Sequence, residues 1–146
     1  MAKNKTNIDI SLQIIAIETL DFSLFPFDNK LMPLNTFHFN INLEQQFVLD
    51  KNLVFVIPKV DIMHENNETK LGTIKIKCIF NIKELSEFCD SKTKKVTLPE
   101  PVVSTLNSIS ISTCRGVMAS QFKGTILNNA ILPLIDPKLF SSNHSD

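Results

Sequence analysis

The sequence predicts an α+β fold: a four-stranded antiparallel sheet, a meander with a long crossover after its first strand, packed with one long C-terminal helix. Three observations carry this expectation. Four segments before residue 83 show the two-residue period of strands with no helical stretch between them, and strands that follow one another without helices pair antiparallel. Between the first and second lies a long apolar stretch that two prolines, Pro26 and Pro33, keep from regular structure. After residue 100 the apolar spacing becomes helical and holds for about six turns.

The first strand is read from Ile8 to Ile14, where apolar residues alternate with Asp9, Ser11 and Gln13, and its continuation through Ile15, Ala16 and Ile17 predicts burial on both faces. Residues 20–34, LDFSLFPFDNKLMPL, form the apolar crossover. In the second strand Phe37, Phe39, Ile41 and Leu43 share one face, while His38, Asn40, Asn42 and Glu44 line a face that should be wet. The third, NLVFVIPKVDIM, opens apolar on both sides through Leu53, Val54, Phe55, Val56 and Ile57, and Pro58 then removes a ladder donor, which predicts a bulge or a sheet edge. HENNETK at 64–70 is a polar hairpin loop. The fourth strand sets Ile74, Ile76, Cys78, Phe80 and Ile82 against Lys75, Lys77 and Asn81.

After the short ELSEF piece and the lysine-rich SKTKK loop, the helix opens at Pro101, whose missing N–H costs nothing in a first turn. Val102, Val103, Leu106, Ile109, Thr113, Val117, Met118 and Phe122 recur at helical spacing, and Gly124 stands where a left-handed cap ends a helix over 101–122. SISIS at 108–112 competes, because it alternates like a strand. Residues 124–137 then read as an extended, proline-bearing apolar segment, too short to span a bilayer and too apolar for an idle loop.

A chain of 146 residues fits a single domain, here 1–146 with disordered tails at 1–7 and 141–146, and can hide roughly 68–70% of its unfolded surface. Lys+Arg and Asp+Glu balance at 15 each, which argues against nucleic acid as a partner. The sequence offers no signal peptide and no stretch for membrane insertion, so a cytoplasmic location is expected. Cys78, Cys89 and Cys114 form neither a disulfide framework nor a CxxC pair and read as buried thiols.

The residues give little to reactive chemistry. His38 lies on a polar strand face, His64 heads a loop and His144 is in the C-terminal tail. Asp61, His64 and Glu65 are near in sequence but lack the helical spacing that lets two ligands share one metal. Gly72, Gly116 and Gly124 make no phosphate cradle, and Cys114 beside Arg115 falls on the apolar side of the helix, where thiols are inert. No metal, cofactor or catalytic residue is expected, and the chain is read as a non-enzyme.

What remains is apolar surface beyond what one small sheet and one helix need, in the 20–34 and 124–137 segments. The C-terminal third gives this surplus a context. Lys123-Gly124-Thr125, Asn128, Asn129, Leu132-Pro133 and Leu139-Phe140 resemble the signature of the SecB export chaperones, in which a basic residue and Gly end the first helix, a Pro-bearing segment follows and Leu-Phe opens a second helix. Leu12-Gln13, Phe22 and Ile79-Phe80 resemble the same family's first strand, crossover approach and fourth-strand end. The likeness covers residues 8–140 in element order.

The resemblance implies an ATP-independent holdase for unfolded polypeptides and preproteins, assembled as a homo-oligomeric dimer of dimers, a homotetramer, and linked to protein export. On this chain it points to Phe22, Phe25, Phe27, Leu31, Met32, Phe37, Leu139 and Phe140 as client contacts, and to Ile10, Leu12, Ile14, Leu106, Ile109 and Val117 as oligomer contacts. Flexible Met32 and the phenylalanines suit promiscuous binding because they repack around different sequences. Two departures stand out. The family's acidic docking surface for the translocase motor ATPase is replaced by Thr73, flanked by Lys75 and Lys77, and by Thr19, which counts against that partner. After Leu139-Phe140 the sequence given ends in SSNHSD, where the family continues its second helix. The alternatives are a dedicated partner-binding protein, such as the chaperone of a toxin–antitoxin module, and, further off, a small metal-dependent hydrolase using Asp61, His64 and Glu65.

Overall fold

The alternation in the sequence becomes one antiparallel sheet in a computed structural model of the chain, which describes residues 10–26, 36–64 and 69–136. Its strands are β1 (Leu12–Leu24), β2 (Phe37–Val48), β3 (Leu53–His64) and β4 (Lys70–Ile82), in the spatial order β1-β4-β3-β2. The meander proper is β2–β3–β4, and β1, on the far side of the crossover, takes the other edge of β4. A short 3-10 turn at Leu49–Lys51 joins β2 to β3, closed by Asn52 at φ 56, a left-handed conformation that asparagine tolerates.

Three expectations about the strands change. β1 runs to Leu24, although residues 20–34 were expected to be irregular: LDFSL itself alternates, Leu24 pairs with Gly72, and the prolines begin only at Pro26. Bulges between Ile14 and Ala16 and between Thr19 and Asp21 accommodate the length. Ile15, Ala16 and Ile17 are exposed where burial on both faces was expected, because β1 is an edge strand that the helix does not cover. Pro58 sits in the central strand β3, at neither an edge nor a bulge. The β3–β4 ladder passes from Val56↔Cys78 to Lys59↔Lys75 in one register, so the missing donor opens rungs without shifting them.

Directly opposed residues of an antiparallel pair point to the same face. The inward face is therefore Val54, Val56, Val60 and Ile62 of β3 with Ile74, Ile76, Cys78, Phe80 and Ile82 of β4, all fully buried. Above them lies α1 (Glu100–Gln121), one residue earlier at each end than expected, contributing Val103, Leu106, Ile111, Cys114 and Met118, with Phe122 just past its end. Pro101 stands in the first turn, the Phe122 N–H reaches the Met118 carbonyl at 2.9 Å, and Gly124 at φ 80 supplies the left-handed stop. Ser108–Ser112 is helical: burying Ile111 on the sheet outweighs the weak propensity of SISIS.

The helix crosses the sheet diagonally. Gln45 Nε2 donates to Asn107 Oδ1 at 2.9 Å, tying the N-terminal half to β2, while the Phe22 and Phe122 rings meet at 4.9 Å, tying the C-terminal end to β1. Beyond the helix the chain does not extend at once, as 124–137 had suggested. Residues 122–129 form tight turns: Thr125 N–H bonds the Phe122 carbonyl at 3.0 Å, and Thr125 Oγ1 accepts from Leu127 N–H at 3.1 Å. They fold the chain back so that Leu127, Ala130 and Leu132 join the core, each leucine contributing roughly 1.5–3 kcal/mol by its burial. Residues 130–136 then run without regular structure.

Candidate functional site

The polar candidates are occupied or scattered. Asp61 accepts from Thr73 Oγ1 at 2.7 Å and pairs with Lys70 at 3.2 Å, while His64 lies in the ladder, its N–H bonded to the Thr69 carbonyl. Glu65 and His144 lie outside the described residues. His38 Nε2 is 3.1 Å from Asn40 Oδ1 on the wet face of β2. Among the described residues no three of His, Cys, Asp and Glu gather as a metal would require. Burial pushes the Cys114 thiol up to about 12, with nearby Cys78 adding and Arg115 opposing, so Arg115 does not activate it. Burial likewise raises Cys78, eased by the Ser110 hydroxyl.

The uncovered material is apolar. Because α1 crosses the central strands, the inward side of β1 keeps Ile14, Ile17, Phe22 and Leu24 in solvent, and Ile15 and Leu20 stand out beside its two bulges. The returning segment adds Ile126, Ile131 and Leu134, the last two 63% and 94% exposed. A single exposed leucine is ordinary, but nine large apolar side chains are exposed on one edge strand and the adjacent segment.

The expected client contacts divide. Phe22 stacks on Phe122, and Phe25, the residue after the Leu24 rung, lies under Lys70 Nζ at 5.4 Å from the ring centroid. Phe37 belongs to the opposite edge, where it pairs with Phe39 at 6.4 Å and packs half-buried on the core. Phe27, Leu31, Met32, Leu139 and Phe140 lie outside the described residues. Of the expected oligomer contacts, Ile10 and Leu12 are half-buried at the start of β1 and Ile14 is exposed. Ile109 and Val117 are half-buried on the helix flanks, whereas Leu106 is wholly inside this subunit's own core and has no surface to give a partner. Thr73 lies on the sheet face away from the helix but is buried beside Asp61, while Thr19 pairs with Ile76 on the helix side, so these two positions do not share a face. Sequence reasoning did not single out Ile15, Ile17, Leu20, Leu24, Ile126, Ile131 or Leu134. Leu20, Leu24, Ile126, Ile131 and Leu134 fall in the two apolar segments the sequence marks, whereas Ile15 and Ile17 fall in a strand expected to be buried on both faces; which side chains face out depends on the bulges and turns.

No protein-family model matches the chain, and no curated protein does. Among solved structures it is similar to the Mycobacterium tuberculosis SecB-like chaperone Rv1957, solved in complex with a ChAD peptide from the antitoxin HigA1 (Rv1956). The superposition has a TM-score of 0.53 at 12% identity and covers 85% of this chain and 90% of that one. The fold is thus the α+β arrangement of a SecB-like chaperone: a four-stranded antiparallel sheet with one C-terminal helix. That neighbour is a chaperone, a non-enzymatic class. Among the described residues no helix is long and apolar enough to cross a membrane.

Proposed function

We propose that the chain is a SecB-like polypeptide-binding chaperone, an ATP-independent holdase that keeps unfolded or preprotein chains from collapsing. The observation that carries the reading is the apolar surface left uncovered at the end of β1, by Phe22 and Leu24, and on the returning segment, by Ile126, Ile131 and Leu134, in a fold shared with a peptide-bound chaperone. An apolar lining offers hydrophobic contact to many sequences without a shape-specific pocket, at about 25 cal/mol per Å2 of buried area. Phe22 and Phe25 are the client contacts at the end of β1, joined by Phe37 and by Phe27, Leu31, Met32, Leu139 and Phe140. Ile10, Leu12 and Ile14 carry subunit pairing along the β1 edge, with Ile109 and Val117 on the helix, in a cytoplasmic homo-oligomer. The test is light scattering of a chemically denatured client diluted into stoichiometric chaperone. Suppressed aggregation is expected, and undiminished aggregation rejects the function.

A second reading is a dedicated partner-binding protein, favoured by the antitoxin peptide held by the structural neighbour. Affinity capture from the native cell separates the two: one dominant polypeptide supports the dedicated partner, many support the general holdase. Export remains the setting the sequence likeness suggests; Thr73, Lys75 and Lys77 replace the family's acidic docking residues, and the carboxylates across the ladder from them, Asp61, Asp21 and Glu18, face that row rather than an acidic patch of their own.

A further inference from the structure

Arg115, on the helix, is the tether of the returning segment. Its Nε donates to the Leu132 carbonyl at 2.7 Å and its Nη2 to the Pro133 carbonyl at 2.8 Å, so one planar fork grips two consecutive peptide oxygens. Among the described residues no backbone–backbone hydrogen bond ties 131–135. The grip separates inside from outside: Leu132 is buried, while Ile131 and Leu134 on either side point to solvent. At its start the segment sits over the β1–β4 pair, where Leu127 lies against Gly72 and beside the Ser23 carbonyl.

We infer that Arg115 is a positioning residue for client binding: by holding the Leu132 and Pro133 carbonyls it presents Ile131 and Leu134 as a fixed apolar rail for an extended, uncharged polypeptide segment. The inference rests on the holdase reading and adds the wall of the site and the group that sets it. The occupant follows from the chemistry. Residues 126–135, ILNNAILPLI, carry no charge to select a charged ligand, and the exposed Ile131 and Leu134 side chains offer an uncharged chain apolar contact alone. Without the fork the rail would be one of many conformations, and binding would bear the cost of ordering it.

The test measures fluorescence anisotropy of a labelled, uncharged twelve-residue peptide of alternating leucine and serine, with thermal melting of each variant. Arg115→Ala and Arg115→Lys should each weaken peptide affinity about tenfold, since an ammonium cannot reproduce the two-pronged grip. Ile131→Ser/Leu134→Ser should lose as much while its Tm stays within about 2 °C, because both residues are on the surface. Adding Arg115→Ala to that pair should cost little more, a non-additivity that a merely structural arginine would not produce. Full affinity in Arg115→Ala, or losses that simply add, overturns the inference. Wild-type protein that binds the peptide with variants equal to it defeats the rail alone, and wild-type protein that binds neither peptide nor unfolded client defeats the holdase reading with it. Loss of self-association on Leu134→Ser, with peptide affinity intact, would reassign the rail to a second copy and also overturn it.

Discussion

Leu127 presses against Gly72 so closely that a Cβ on that glycine would stand 2.7 Å from the leucine Cδ1 and 3.0 Å from the Ser23 carbonyl oxygen. The fold-back of the segment after α1 depends on this bare backbone. Gly72→Ala should destabilise by about 1–3 kcal/mol through overpacking, and Leu127→Ala by about 2–5 kcal/mol through the cavity it leaves. Because the alanine at 127 removes the nearer of the two obstacles, the double variant should lose less than the sum. Urea unfolding midpoints of the four proteins check it, and strict additivity would contradict the contact.

Among the described residues Ser110 Oγ, buried between helix and sheet, has no hydrogen-bond partner of ordinary geometry, although the weakly polar Cys78 thiol is close enough to feel it. Removing an unsatisfied buried hydroxyl relieves a desolvation cost. Ser110→Ala should therefore leave stability unchanged or raise it by up to about 1 kcal/mol, whereas a loss beyond about 1 kcal/mol in urea unfolding would mean the hydroxyl is satisfied.

The thiols should separate by burial. Cys89 is half-buried and Cys78 and Cys114 fully so, hence a thiol-reactive dye at pH 8 should label Cys89 alone until the protein unfolds. The Cys114 thiol, at about 12 in the fold against 9.0 in the open chain, also carries a pH dependence. Above pH 9 the unfolded chain releases that proton first, so this contribution to stability is whole below pH 9 and is lost as pH rises toward 12. The urea midpoint should fall between pH 8 and 11, and fall less in Cys114→Ala.

The β1 edge predicts association. Ile14 and Ile17 are exposed on a strand whose outer hydrogen-bonding groups face no strand among the described residues. Ile14→Lys/Ile17→Lys should convert a self-associating chain to monomer in light scattering at micromolar concentration, with a Tm change of only a few degrees because neither side chain is in the core. A wild-type monomer would contradict the pairing.

Much of this architecture is legible in the residues, and the exceptions have identifiable causes. Strand period, the Pro101 start and the Gly124 stop are local signals; they locate β3 and α1 to within a residue and the middles of β2 and β4, which run on to Val48 and begin at Lys70. Burial of β1 is not local. Ile14-Ile15-Ala16-Ile17 reads the same in a covered strand as on an adhesive edge, and only pairing with β4, some 48 to 70 residues later in the chain, decides which it is. Pro58 misled for the opposite reason, since a central strand can open a few rungs where flanking pairs hold the register. The apolar character of 124–137 was evident, but its division into inward Leu127, Ala130 and Leu132 and outward Ile126, Ile131 and Leu134 arises from the Thr125 turn and the Arg115 grip. In the sequence Arg115 stands out only as a neighbour of Cys114, because nothing there connects it to carbonyls 17 and 18 residues away.

The separation between β1 and its partner strand also has a consequence during synthesis. Leu12 must wait for Ile82 and Leu24 for Gly72, so at about 5–20 residues per second β1 is out of step with its neighbour by several seconds. Throughout that interval the nascent chain carries an unsheltered isoleucine-rich ribbon, while the β2–β3 hairpin can close on itself before β4 is made. The chain thus passes through an aggregation-prone stage before its own fold is complete.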